Sequence, residues 1–135
     1  MSGPTRTPSE RTTQLVMGEA IRHDLTGISH LSLGFMKNLM HERSRLSQGR
    51  PTSVIMVAPD VLTIDFEVQL VASDIEVQRL TRAMAIVGDS FMLRHLTSMF
   101  LSYHAPAYPV QRFSCEQDAL RWLDLTSAKM LQPEC

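Results

Sequence analysis

Ala83–Trp122, AMAIVGDSFMLRHLTSMFLSYHAPAYPVQRFSCEQDALRW, reads as strand, helix, strand and helix, with a boundary signal at every join. Ala83–Val87 is a short apolar run of the length of a buried strand. Gly88-Asp89-Ser90 is a strand-to-helix turn, in which Asp89 or Ser90 can cap the helix by accepting a free backbone N–H. Over Ser90–His104, Met92, Leu96, Met99, Phe100 and Tyr103 fall on one apolar stripe of a 3.6-residue period. The link Ala105-Pro106-Ala107-Tyr108-Pro109 ends that helix, because proline supplies no N–H to it, and leads into a strand over Val110–Phe113. Ser114 and Gln117 have the spacing of a capping box opening a last helix, with Ala119, Leu120 and Leu123 facing inward and Trp122 half-buried at the edge. The pattern fades from about Ser127.

Upstream, Thr52–Ala58 (TSVIMVA) is a continuous apolar, β-branched run, which predicts a central strand covered on both faces in a parallel sheet. Pro59-Asp60 breaks it, and helices are expected over Ile64–Ala72 and near Asp74–Thr81, with Ser73 as a cap between them. Ser29–Gln48 reads as the first long helix: Leu31, Phe35, Met36, Leu39 and Met40 share a stripe, and Lys37, Asn38, Glu42, Arg43 and Arg45 take the solvent side. Gly49 and Pro51 stop it. Thr12–Leu25 predicts a hairpin turning at Met17-Gly18-Glu19, with Arg22-His23-Asp24 on a solvated face or edge. His23 and Asp24 are adjacent in that strand, so they point to opposite faces and form no acid–base pair. His30 and His41 are too far apart for a helical metal pair and read as surface residues.

The order ββαβαβαβα predicts one α/β domain: a mixed sheet of about five strands, a hairpin at one end and parallel strands elsewhere, covered by four to five helices. That domain spans residues 12–126, after a polar, disordered lead-in at 1–11 and before a C-terminal tail at 127–135. The residues Ala85-Ile86-Val87, Ser90, Leu93, Phe100, Pro109, Phe113-Ser114, Glu116 and Ala119-Leu120-Arg121-Trp122-Leu123 occur in a telling order. Through them the chain resembles small bacterial proteins of STAS-like fold, the SpoIIAA-like fold of anti-sigma-factor antagonists. The likeness runs from about Gln14 to Leu123. It implies a fold and a non-enzymatic tendency, not an activity. The chain departs from those antagonists at the turn after the central strand. Their phosphorylatable Asp-Ser-Ser/Thr-Gly is replaced by Ala58-Pro59-Asp60-Val61-Leu62-Thr63-Ile64-Asp65, where Thr63 is the one hydroxyl and reads first as a helix cap rather than a phosphorylation site.

The bulk composition excludes several classes. A formal net charge of −1 over 135 residues offers no basic stripe for nucleic acid or anionic membrane. No run approaches the roughly 18 apolar residues of a membrane span. Cys115 and Cys135 make neither a disulfide framework nor a zinc pattern, which favours the cytoplasm. Cys115, in the first turn of the last helix, has no histidine near it in sequence and reads as structural. No GxGxxG, Walker A, HExxH, CxxC or GxSxG motif occurs, so no cofactor, metal or catalytic residue is assigned.

Two functions remain. One is a non-enzymatic regulatory or protein-interaction module that binds an unknown partner, or itself as a homodimer. Its surface is the acidic stretch after the central strand: Asp60, Thr63, Asp65, Glu67, Asp74 and Glu76. The other is a binder of an apolar small molecule, or a weak enzyme, with a pocket between sheet and helices lined by some of the nine methionines. The helix N-terminus at Asp89-Ser90 is a generic anion site, although Asp89 itself repels an anion.

Overall fold

The computed structural model describes residues 13–16, 20–72, 74–104 and 106–131. The lead-in, the turn at 17–19, the cap at Ser73, Ala105 and Cys135 lie outside them. The chain runs β1 (Thr13–Val16), β2 (Ala20–Asp24), β3 (His30–Leu31), α1 (Leu33–Ser47), β4 (Thr52–Val57), β5 (Thr63–Ile64), α2 (Phe66–Ala72), α3 (Ile75–Leu80), β6 (Thr81–Val87), α4 (Phe91–His104), β7 (Val110–Phe113) and α5 (Glu116–Leu131).

The β-branched run is the middle of the molecule: all six residues of β4 are buried, and the main sheet has the order β1-β2-β4-β6-β7. β1 pairs antiparallel with β2, and every other neighbour is parallel. Strand alternation divides the core in two. Ile55, Val57, Ala83, Ala85 and Val87 face α5, meeting Ala119 and Leu123 with Trp122 half-buried beside Phe113. Met56, Leu25 and the adjoining loop residues Ala58 and Val61 face α1, α2 and α4, from which Met36, Leu39, Val68 and Leu93 descend. Val54 and Met84 continue that side toward Tyr108. No described helix is long and apolar enough to cross a membrane.

Several expectations are revised. His30–Leu31 and Thr63–Ile64 are a two-stranded parallel sheet, so α1 begins at Leu33 under the Ser32 cap and α2 begins at Phe66. Asp74 caps α3, accepting from Glu76 N. Glu42 and Arg43 are buried on the sheet side of α1. The Arg43 Nη2 donates to Leu80 O and Thr81 Oγ1, both at 2.6 Å, and burial lowers its pKa to about 10. His23, expected in solvent, is fully buried; its neighbours Arg22 and Asp24 take the opposite face, where Arg22 grips Glu116 of α5 through two hydrogen bonds of 2.6 and 3.0 Å. Ser114 forms no capping box: its hydroxyl reaches Asp89 Oδ1 at 3.2 Å. α4 buries Leu93 and Thr97, whereas Tyr103 of the expected stripe is exposed. α5 continues to Leu131, past the point where the apolar pattern fades.

Candidate functional site

The segment after β4 is held by its own polar side chains. Asp60 Oδ2 accepts from Gly27 N at 2.8 Å, tying the turn to the one after β2. Leu62 N and Thr63 N both donate to Ser29 O, at 2.8 and 3.1 Å. His30 bridges the two short strands: its Nδ1 lies 2.7 Å from Thr63 Oγ1 and its Nε2 2.9 Å from Asp65 Oδ1. The second oxygen of Asp65 accepts from Leu33 N at 2.8 Å. That backbone bond, then His30, hold the Asp65 carboxyl below its ordinary pKa.

A hydroxyl, an imidazole and a carboxylate in sequence have the connectivity of a nucleophile, base and orienting acid. The amides of Leu62, Thr63, Asp65 and Leu33 that surround the group are each already donating, so none is left to hold an oxyanion. The bridge fastens β3 to β5 and fixes the start of α1.

Of the acidic residues singled out in the sequence, Asp60, Asp65, Asp74 and Glu76 therefore have structural partners, Glu76 through Arg79 Nη2 at 2.9 Å. Thr63 is a strand residue bonded to His30 rather than a helix cap. The Glu67 side chain has no hydrogen bond or ion pair with another described residue and is exposed on α2, lining the same surface as Asp74. These two rim an open groove of about 460 Å³ between α1 and the α2–α3 pair, floored by Leu33, Met40, Leu70, Val71 and Val77, with Lys37 at its side. Around it the same segment exposes Leu62, Phe66 and Ile75, the last two 66% and 81% exposed. The sequence carried a signal for this surface: Phe66, Val68, Leu70 and Val71 put apolar side chains around more of a seven-residue helix than one face can bury.

The inner side of α2 covers a second feature. A cavity of about 110 Å³ lies between the sheet and α1, α2 and α4, walled by Met36, Met56, Met84, Val68, Leu93 and Phe100 among others. Thr97 lines it too, but its hydroxyl is spent on Leu93 O at 2.8 Å.

The Asp89-Ser90 turn is occupied by the protein itself. Ser90 Oγ accepts from Leu93 N at 3.0 Å, and Asp89 pairs with Arg94 and lies 3.6 Å from Arg112. Arg94 is the first cause of the lowered Asp89 pKa. Cys115 is exposed at the start of α5. Among the described residues no three His, Cys, Asp or Glu side chains gather as a metal site would require.

No curated protein matches the chain. Among solved structures, it is similar to an uncharacterised DUF3478-family protein with a SpoIIAA-like fold from Shewanella loihica PV-4. The two share 12% identity and a TM-score of 0.59, over 82% of this chain and 90% of that one. The fold is thus SpoIIAA-like, as the order of strands and helices predicts. The model of a domain of unknown function, DUF7793, matches residues 22–127, from the first parallel strand into the last helix, and the chain belongs to the DUF7793 family.

Proposed function

We propose that this domain is a non-enzymatic interaction module that docks a basic, amphipathic segment of a partner protein in the groove between α1 and α2–α3. The observation behind this reading is the groove's composition: an apolar floor of Leu33, Met40, Leu70, Val71 and Val77 with Glu67 and Asp74 on the rim. Two carboxylates, Glu67 and Asp74, against the single ammonium of Lys37 leave the edge of this apolar patch net acidic, which suits a helix or strand with apolar anchors and Lys or Arg beside them.

The test places a photo-cross-linking amino acid at Leu70, and a control at Leu101 on α4, and identifies the captured peptide by mass spectrometry. Capture at Leu70 alone of a segment carrying Lys or Arg, abolished by Glu67→Lys in a folded variant, is the expected result. Capture of an acidic segment, equal capture at Leu101, or capture only of second copies of this chain would overturn it.

A further inference from the structure

We infer that the cavity beneath α2 and α4 is a binding site for one small, uncharged apolar group, of the size of a single aromatic ring or a short alkyl tail. Its interior offers little to a charged or hydrogen-bonding ligand: the walls are almost wholly carbon and sulfur, the Thr97 hydroxyl proton is committed to Leu93 O, and the polar Gln69 stands at the mouth. Water is disfavoured there for the same reason, since a bound water needs two to four polar partners. At about 110 Å³ the space is somewhat smaller than the roughly 150 Å³ engineered apolar cavity in another protein that stays dry and takes up benzene.

Two features make the cavity a site rather than a packing fault. Three of its walls are methionines, Met36, Met56 and Met84, whose unbranched side chains adapt to different guests. Its half-buried members Ile64, Gln69, Leu96 and Phe100 mark a mouth between α2 and α4. α4 is lightly seated over it, with only Leu93 and Thr97 buried among fourteen residues. Entry therefore needs only a small displacement of one helix. This inference stands on the cavity and does not depend on the docking groove.

The experiment labels the methionine methyl groups with carbon-13 and titrates the full chain with benzene and, separately, with 1-hexanol. The expected result is a saturable shift of the Met36, Met56 and Met84 methyls with either probe, while exposed Met99 and groove-lining Met40 stay in place. Saturation with benzene only identifies a ring site, and with hexanol only an alkyl site. The thermal midpoint rises with the probe that binds. Leu96→Trp across the mouth and Val68→Phe into the cavity are expected to weaken binding at least tenfold with the circular dichroism unchanged. Absence of a saturable shift at the three cavity methionines overturns the inference, and so do equal shifts at Met40 and Met99. A folded blocking variant that binds like the wild type also overturns it. If neither variant folds, the wild-type pattern of shifts decides.

Discussion

His23 is expected to make this protein lose stability in acid from a pH well above the range in which carboxylates titrate. Its ring is fully buried between β2 and α1, with Nδ1 2.9 Å from Thr13 Oγ1 and Nε2 without a hydrogen-bond partner among the described residues. Burial, and then the nearby Arg43 guanidinium, lower its pKa from 6.5 to about 3. Between those values the unfolded chain takes up a proton that the folded chain refuses, so stability falls as the pH falls. This group's contribution is complete above about pH 6.5 and is exhausted near pH 3. At about 1.4 kcal/mol for each pH unit, the whole interval is worth on the order of 4–5 kcal/mol, against a typical domain stability of about 5–15. Between pH 6.5 and 4.5 the loss approaches roughly 2–3 kcal/mol.

The assay is urea unfolding at pH 7.5, 6.5, 5.5 and 4.5, followed through the single tryptophan, Trp122, packed 5.6 Å from the ring of Phe113. His23→Gln keeps a polar group facing Thr13 and cannot titrate. The wild type should lose stability steeply through this window and the variant only weakly. Asp24, Asp65 and Asp89 also lose stability in acid, but their lowered values place that loss below about pH 4, outside the window. Equal slopes for the two proteins would show that the imidazole is hydrated or paired in the fold.

Three more outcomes follow from packing. Gly88→Ala should lower stability by about 1–3 kcal/mol in thermal unfolding, because an added Cβ would sit 2.3 Å from Leu93 Cδ2 and 3.1 Å from Ala58 O; an unchanged midpoint contradicts that contact. Arg43→Met leaves the Leu80 carbonyl without this donor, at a cost of about 1–3 kcal/mol, and removes a positive charge near His23. The pKa of His23 then rises toward its unfolded value, so the acid loss must become smaller than in the wild type. A double-mutant cycle on Arg22→Ala and Glu116→Ala should give a coupling of about 1 kcal/mol, as expected for a bidentate, part-buried pair whose side chains are 18% and 35% exposed; additivity would mean that β2 and α5 are joined by apolar packing alone.

The elements that were legible in the sequence are those whose signal is local. β4 announces itself because Thr52–Val57 is apolar at every position from Val54 on, and the last helix because Ala119 and Leu123 repeat at four-residue spacing. What was missed is decided by distant residues. Arg22 and Asp24 made His23 look solvated, yet strand alternation sends them to the α5 side, where Glu116 waits 94 residues away. Ser114 has capping-box spacing, but α5 opens one residue later, with Cys115 O accepting from Ala119 N, and the Ser114 hydroxyl donates to Asp89, 25 residues earlier. β3 and β5 are two residues each, too short for any periodic signal, and exist because His30 and Asp65 fasten them. The buried face of α4 is centred on Leu93 because Gly88, lacking a Cβ, lets that leucine approach.

The site itself was half legible. The acidic segment after β4 stands out in the sequence, but most of its carboxylates hold the fold. What distinguishes the segment is that α2 has apolar contacts on two sides. Val68 and Gln69 line the inner cavity while Glu67, Leu70 and Val71 line the outer groove, so a two-turn helix is the partition between them. Such a short helix has little stability of its own and takes its position from what packs on each side. A guest in the cavity supports its inner face, and a segment in the groove supports its outer one. Each would reduce the ordering that the other must impose, and by reciprocity the two affinities rise together or not at all.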